Sequence, residues 1–161
     1  MQDEDFDRLY AEHAQPLFGF LVYRTGDRAL AEDVLADTFE RVLRARRRFD
    51  PRRGSQKTWL YAIALNCLRD HGRRRGAESR ALERAGAAAA QAGPEISSSV
   101  GTRRDLIQAL GTLSAEERQA IALRYGADLT VPEIAELTKE RLTTIEGRVY
   151  RALKKLRHEL G

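Results

Sequence analysis

The chain has 161 residues, 42% of them hydrophobic and 32% charged, with a formal net charge of +4. No apolar run approaches the ~20 residues of a membrane-spanning helix, and the acidic start MQDEDFD lacks the basic-then-apolar order of an export signal, so a cytoplasmic protein without membrane insertion is expected. One cysteine, Cys67, and three scattered histidines, His13, His71 and His158, exclude an intramolecular disulfide and a clustered zinc site and offer no nucleophile paired with a base. No metal, cofactor or catalysis is expected.

The charge is segregated. Residues 1–40 carry three basic side chains against ten acidic ones, a net of −7, whereas residues 41–75 carry twelve basic against two acidic, a net of +10. A field of that sign attracts polyanions.

Taken in chain order, the predicted elements are all helical. Phe6, Leu9, Tyr10, His13, Leu17, Phe18 and Leu21 recur at three- and four-residue spacing, and Pro16 is expected to break or kink that run. A helix over residues 29–45 places Leu30, Val34, Leu35, Thr38, Phe39 and Val42 on one side, and another over about 55–73 does the same with Leu60, Ile63, Ala64, Cys67, Leu68 and His71. Cys67 and His71 are thereby assigned to packing. Between these helices, FDPRRGSQK contains Pro51 and Gly54 and reads as an irregular loop. The stretch 76–102 has no aromatic residue and only Leu82, Ile96 and Val100 as larger apolar ones, so it reads as a linker unable to bury a core.

Beyond it, residues 105–113 precede Ser114 and Glu117, a capping-box pair that starts a helix expected to run to Tyr125 and stop at Gly126. Thr130 and Glu133 repeat the box before a short helix, 131–137. A polar turn leads to a long helix, 142–160, with Leu142, Ile145, Val149, Leu153, Leu156 and Leu160 as its apolar strip. Short helix, tight turn and long basic helix form the helix-turn-helix order in which the second helix enters the major groove, although a plain helical bundle would show similar periodicity.

On a helical wheel, Trp59, Ala62, Asn66, Arg69, Asp70 and Arg73 lie opposite the apolar strip of the 55–75 helix. Directly before them stand Arg52, Arg53, Ser55, Gln56 and Lys57. Cations, amide and hydroxyl groups and an aromatic ring in one place are the groups that hold splayed, single-stranded nucleic acid.

Three segments, LAEDVLADTFERVLR (30–44), FDPRRGSQKTWLYAIALNCLRDHGRRR (49–75) and LTVPEIAELTKERLTTIEGRVYRALKKLR (129–157), resemble in sequence and order the extracytoplasmic-function group of bacterial sigma-70-type RNA polymerase sigma factors. The resemblance implies an all-α chain of two small helical domains: region 2 over 1–75, a flexible linker over 76–102, and region 4 over 103–161. It implies core RNA polymerase and promoter DNA as partners, together with an anti-sigma factor. The polymerase-binding residues would be Asp33, Asp37, Phe39 and Val42. The strand-separating loop and minus-ten helix would supply Arg52, Arg53, Ser55, Gln56, Lys57, Trp59, Asn66, Arg69, Arg73, Arg74 and Arg75. The minus-thirty-five helix would supply Thr143, Thr144, Glu146, Arg148, Tyr150, Arg151 and Lys154. The chain departs from the family pattern in having Ala36 where Gln is usual, Lys139 where the turn usually has Gly, and Glu146–Gly147 where a cation and Ser are common. Glu146 would accept a hydrogen bond from cytosine N4. A sigma-like mimic that binds an anti-sigma factor, and a stand-alone helix-turn-helix regulator, are the other readings open on sequence alone.

Overall fold

The computed structural model describes residues 1–79 and 100–161, which belong to two compact units. In the first unit, α1 (Asp3–Thr25), α2 (Arg28–Ala45) and α3 (Gln56–Ser79) pack as three helices, with a 3-10 turn, Arg46–Arg48, after α2. In the second, α4 (Val100–Gly111), α5 (Ala115–Ile121) with a π-helical turn (Ala122–Gly126), α6 (Val131–Thr138) and α7 (Leu142–Leu160) surround one core. The linker reading of 76–102 lies for its larger part outside the described residues. Its two ends are helical, residues 76–79 continuing α3 and residues 100–102 opening α4.

α1 and α2 meet at a tight corner. Gly26 takes φ 69°, a left-handed conformation suited to glycine, and donates its N–H to the Val22 carbonyl, while the Asp27 carboxylate caps α2 by accepting from the Leu30 N–H. α1 runs unbroken through Pro16, contrary to the expected break. Pro16 and Glu12, whose carbonyl loses its intrahelical donor, are both exposed, so that carbonyl is left on the solvent side, while Leu9, Leu17, Phe20 and Leu21 on the other side are held in the core. Val34 and Val42 of α2 and Leu60, Ala64 and Cys67 of α3 complete that core, each with no accessible surface. Tyr61 joins it edge-on to Phe20, and burial pushes its phenol up to about 12.

Both predicted capping boxes form in the second unit. The Ser114 hydroxyl accepts from the Glu117 N–H at 3.1 Å and the Glu117 carboxylate from the Ser114 N–H at 2.9 Å. Thr130 and Glu133 repeat this at 3.3 and 2.9 Å. The helical run stops at Gly126 as expected, but not through a left-handed glycine: the α-helix proper ends at Ile121, the chain widens into a π turn closed by Ala127 N–H to the Ala122 carbonyl, and the left-handed residue is Asp128, φ 56°. The wider turn lets Leu123, Ala127 and Leu129 all reach the core, where none is more than 5% exposed. In α7, Ile145, Val149 and Ala152 are buried, whereas Leu142 and Leu160, at the ends of the expected strip, are exposed.

α6 ends in a Schellman turn: Glu140 N–H reaches the Ala135 carbonyl and Lys139 N–H the Glu136 carbonyl, with Lys139 at φ 58°. A side chain in that conformation costs ~1–2 kcal/mol, partly returned by the smaller entropy loss of a non-glycine residue. Lys139→Gly is therefore expected to stabilise the second unit by about 0.5–1 kcal/mol, read as a raised melting temperature. Leu17→Ala, which empties a fully buried site in the first unit, is expected to lower stability by about 2–5 kcal/mol in denaturant titration.

Candidate nucleic-acid and polymerase interfaces

The loop before α3 is built by Asp50. Its carboxylate accepts from the Arg52 N–H and from the Arg52 guanidinium Nε at 3.0 and 3.1 Å, its carbonyl accepts from the Arg53 N–H, and Gly54 follows at φ 155°. Arg52 and Arg53 are exposed at the tip. Ser55 is exposed too, but its hydroxyl is the cap of α3, accepting from the Thr58 N–H at 3.1 Å and bonded to the Thr58 hydroxyl. Gln56 and Lys57 are half-buried in the first turn, and the Trp59 ring rests on Phe49, centroids 5.2 Å apart, leaving it half-buried as well. Further along α3, Asn66, Arg69 and Arg73 are exposed on the side away from Ala64 and Cys67, and Arg74, seven residues beyond Cys67 on the helix, is exposed as well. The Arg75 side chain lies outside the described residues.

Asp70 stands among these arginines, yet its carboxylate is 3.0 Å from the Arg41 guanidinium of α2. The same guanidinium is 3.1 Å from Asp37, which also lies 3.2 Å from His71 Nε2. Burial raises the Asp37 carboxyl, but the His71 and Arg41 hydrogen bonds and charges outweigh it and hold it below the usual carboxylate range. The acid within the basic face of α3 is thus matched from the neighbouring helix.

On α2 the expected contact residues differ in exposure, and Val42 and Phe39 are corrected to core positions. Only Asp33 is fully exposed; Asp37 is turned toward α3, Val42 has no accessible surface, and Phe39 is 6% exposed, set edge-on to Phe6 and Tyr10. The reason is packing: α2 lies between α1 and α3, so its apolar positions are used on both sides. Sequence reasoning missed the open groove of about 530 Å³ between α1 and α2, where Tyr10, Phe18, Leu35 and Ala36 meet the edge of Phe39 beside Glu32. Its one sequence signal was the number of aromatic residues in α1, Phe6, Tyr10, Phe18, Phe20 and Tyr23, of which only Phe20 is buried.

In α7, Thr143, Glu146, Tyr150, Arg151 and Lys154 are exposed along one side and Thr144 is half-buried. Arg148 departs from the expected set: its guanidinium is paired with Glu140, which raises its pKa further and leaves the side chain 20% exposed. Glu117 of α5, 5% exposed, lies 2.8 Å from Lys155 Nζ. The Lys155 hydrogen bond, then the Ser114 N–H, keep its carboxyl below the ordinary range against the opposing effect of burial.

A three-helix unit with an exposed basic helix, followed by a helix-turn-helix unit, defines a two-part helical transcription factor. Sigma-70 region 2 matches residues 9–78 and Sigma-70, region 4 matches residues 103–156. The chain is 35% identical to the RNA polymerase sigma factor CarQ of Myxococcus xanthus, over 97% of this chain and 89% of that one, and 36% identical to the RNA polymerase sigma factor CnrH of Cupriavidus metallidurans, over 97% and 95%. The sigma factor RpoE of Bartonella quintana, solved in complex with the anti-sigma factor NepR, is similar with a TM-score of 0.79 and 26% identity, covering 98% of this chain and 97% of that one. This chain belongs to the sigma-70 family of RNA polymerase sigma factors, in its extracytoplasmic-function group. Among the described residues no helix is long and apolar enough to cross a membrane.

The lowered Glu117 carboxyl has a consequence for stability. Its folded form binds protons less readily than the unfolded chain, so its contribution is complete above about pH 4.5, the ordinary glutamate value, and is lost as pH falls through the lower folded value. Melting temperature is expected to drop on acidification below that point, and Glu117→Gln is expected to flatten this acid limb while lowering the plateau at neutral pH.

Proposed function

We propose that this sigma factor opens promoters by dividing the work between its two regions. Region 2 docks on core RNA polymerase through the outer face of α2, headed by Asp33, and the adjoining apolar groove. Arg52, Arg53, Gln56, Lys57 and Trp59 at the head of α3, with Asn66, Arg69, Arg73, Arg74 and Arg75 along it, then hold the non-template strand of the minus-ten element. The Ser55 cap fixes the loop in the bent form that presents the two arginines. Region 4 lays α7 in the major groove of the minus-thirty-five element, with Thr143, Thr144, Glu146, Tyr150 and Lys154 toward DNA. The task is recognition: splayed bases are captured, and RNA synthesis is left to the polymerase. It takes place in the cytoplasm, where an anti-sigma factor holds the free protein, as in the related complex of RpoE with NepR.

The observation that carries this reading is the exposed row Asn66, Arg69 and Arg73, with Arg74 exposed beyond it. It lies on the helix whose opposite side anchors the core, and its one acidic member, Asp70, is matched by Arg41. The backbone of single-stranded DNA needs cations in a row, and an aromatic ring at the end of that row offers a stacking edge.

The test begins with co-elution on bacterial core RNA polymerase and continues with transcription from genomic fragments of the source organism. Discrete new transcripts are expected. Replacing Arg73, Arg74 and Arg75 by Ala is expected to leave co-elution intact and to reduce open-complex formation, read by permanganate reactivity of unpaired thymines, by at least tenfold. Unchanged opening in the triple variant would overturn the assignment of the basic face, and failure to co-elute would overturn the polymerase-docking role of α2.

A further inference from the structure

On the flank of α7 that faces α5, cations and carboxylates are matched across helices. Glu140, in the turn, takes Arg148 in a two-pronged pair, with one guanidinium nitrogen 2.7 Å from each carboxylate oxygen. Glu116 of α5 adds to the field on Arg148. Nearer the end of α7, Glu117 takes Lys155 at 2.8 Å and faces Arg151 Nε at 3.9 Å. The Glu117 carboxylate is fixed in place, since it also accepts the Ser114 N–H and is 5% exposed. The Arg151 guanidinium lies folded over Gly147, where an added Cβ would sit 3.0 Å from Nη1. On the exposed row of α7, by contrast, Lys154 has no ion pair among the described residues, and the same holds for Arg69, Arg73 and Arg74 on α3.

A cation already matched by a carboxylate gains less from a phosphate, and a phosphate contact that is not made releases no counterions. Phosphate contacts supply nearly all sequence-independent affinity, whereas base-edge contacts supply discrimination. Glu146 and Tyr150, both exposed on the opposite flank of the same row, are unaffected by these pairs. We propose that Glu140 and Glu117 hold Arg148 and Arg151 back from DNA phosphates, so that α7 discriminates between duplexes at the expense of general duplex affinity. This rests on α7 being the duplex-reading helix. It makes Gly147, a helix-weakening residue, part of the device, because a Cβ there would crowd Arg151 Nη1 at 3.0 Å and make the guanidinium give way.

The test uses the full chain, two duplexes and fluorescence anisotropy across a salt series, one duplex selected by the wild-type chain from a random pool and the other a scrambled version. Glu140→Gln is expected to bind the scrambled duplex about threefold more tightly at about 0.05 M salt and to steepen the plot of log affinity against log salt by ~0.9, one phosphate contact, so that the ratio between the two duplexes falls. Adding Arg148→Ala is expected to cancel both changes. Weaker binding or an unchanged slope in a Glu140→Gln variant that melts like the wild type would show that the pair only positions the helix, and would overturn the proposal. Should that variant fold poorly, Gly147→Ala carries the same test: displacement of Arg151 is expected to steepen the slope, and an unchanged slope overturns the proposal. Absence of any duplex binding by the wild-type chain, with Lys154→Ala making no difference, would instead overturn the duplex-reading role of α7 and this proposal with it.

Discussion

The functional surfaces of region 2 depend on one packing constraint: α2 has neighbours on two sides. Val34 and Val42 are sealed in the core, and the Thr38 hydroxyl, also buried, is satisfied by the Val34 carbonyl of its own helix. Ala64 and Cys67 meet this surface from α3, and small side chains at a helix contact let the axes approach closely. Once that contact is made, the rotation of α3 is set, because turning it by one residue would bury Arg69 or expose Cys67. The basic row therefore faces outward as a result of core packing and needs no separate device to aim it.

Polar contacts then refine what packing has set. Arg41 bridges Asp37 of its own helix and Asp70 of α3, and His71 approaches Asp37 from the same side. Each pair is partly exposed, where an isolated ion pair contributes ~0–1 kcal/mol, so the cluster contributes more to electrostatic arrangement than to stability. Its effect is to place the Asp70 charge against Arg41 instead of against DNA. The sum of charge over residues 41–75 misses this, since it treats Asp70 as a subtraction from the basic face.

The sequence made local signals legible and left cross-helix ones hidden. Capping boxes at Ser114 and Thr130 depend on residues three positions apart, and both were readable; so were the extents of α2, α6 and α7 to within a residue. The unbroken course of α1 through Pro16 depends on which side of the helix the proline faces, which only the packing of α1 decides. The π turn after Ile121 depends on three apolar residues, Leu123, Ala127 and Leu129, finding the same core, a tertiary demand that widens the last turn before Gly126. The same distinction separates the site residues. Asn66, Arg69 and Arg73 followed from the wheel, because one face of α3 is plainly apolar. Val42 and Phe39 did not, since a helix packed on two sides uses nearly all of its apolar positions. The pairing of Arg148 was not legible, because its partner, Glu140, lies eight residues away across a turn.

The energetics of strand opening explain why a chain with this surface must act on a polymerase. Separating DNA costs ~1.4 kcal/mol for each stacked base step. Against that, a base stacked on an aromatic side chain returns ~1–3 kcal/mol, and the Trp59 ring, half-covered by Phe49, has at most one face to give. On the proposed assignment the exposed arginines of α3 would add phosphate contacts, but these form with duplex as well as with single strands and so would contribute only a part of their energy to opening. By itself the first region can offset one or two steps, enough to nucleate an opening and too little to hold a bubble. Extending the opening therefore falls to the larger assembly that takes up the remaining strand, and on the proposed assignment the surface of α3 would select where the opening starts.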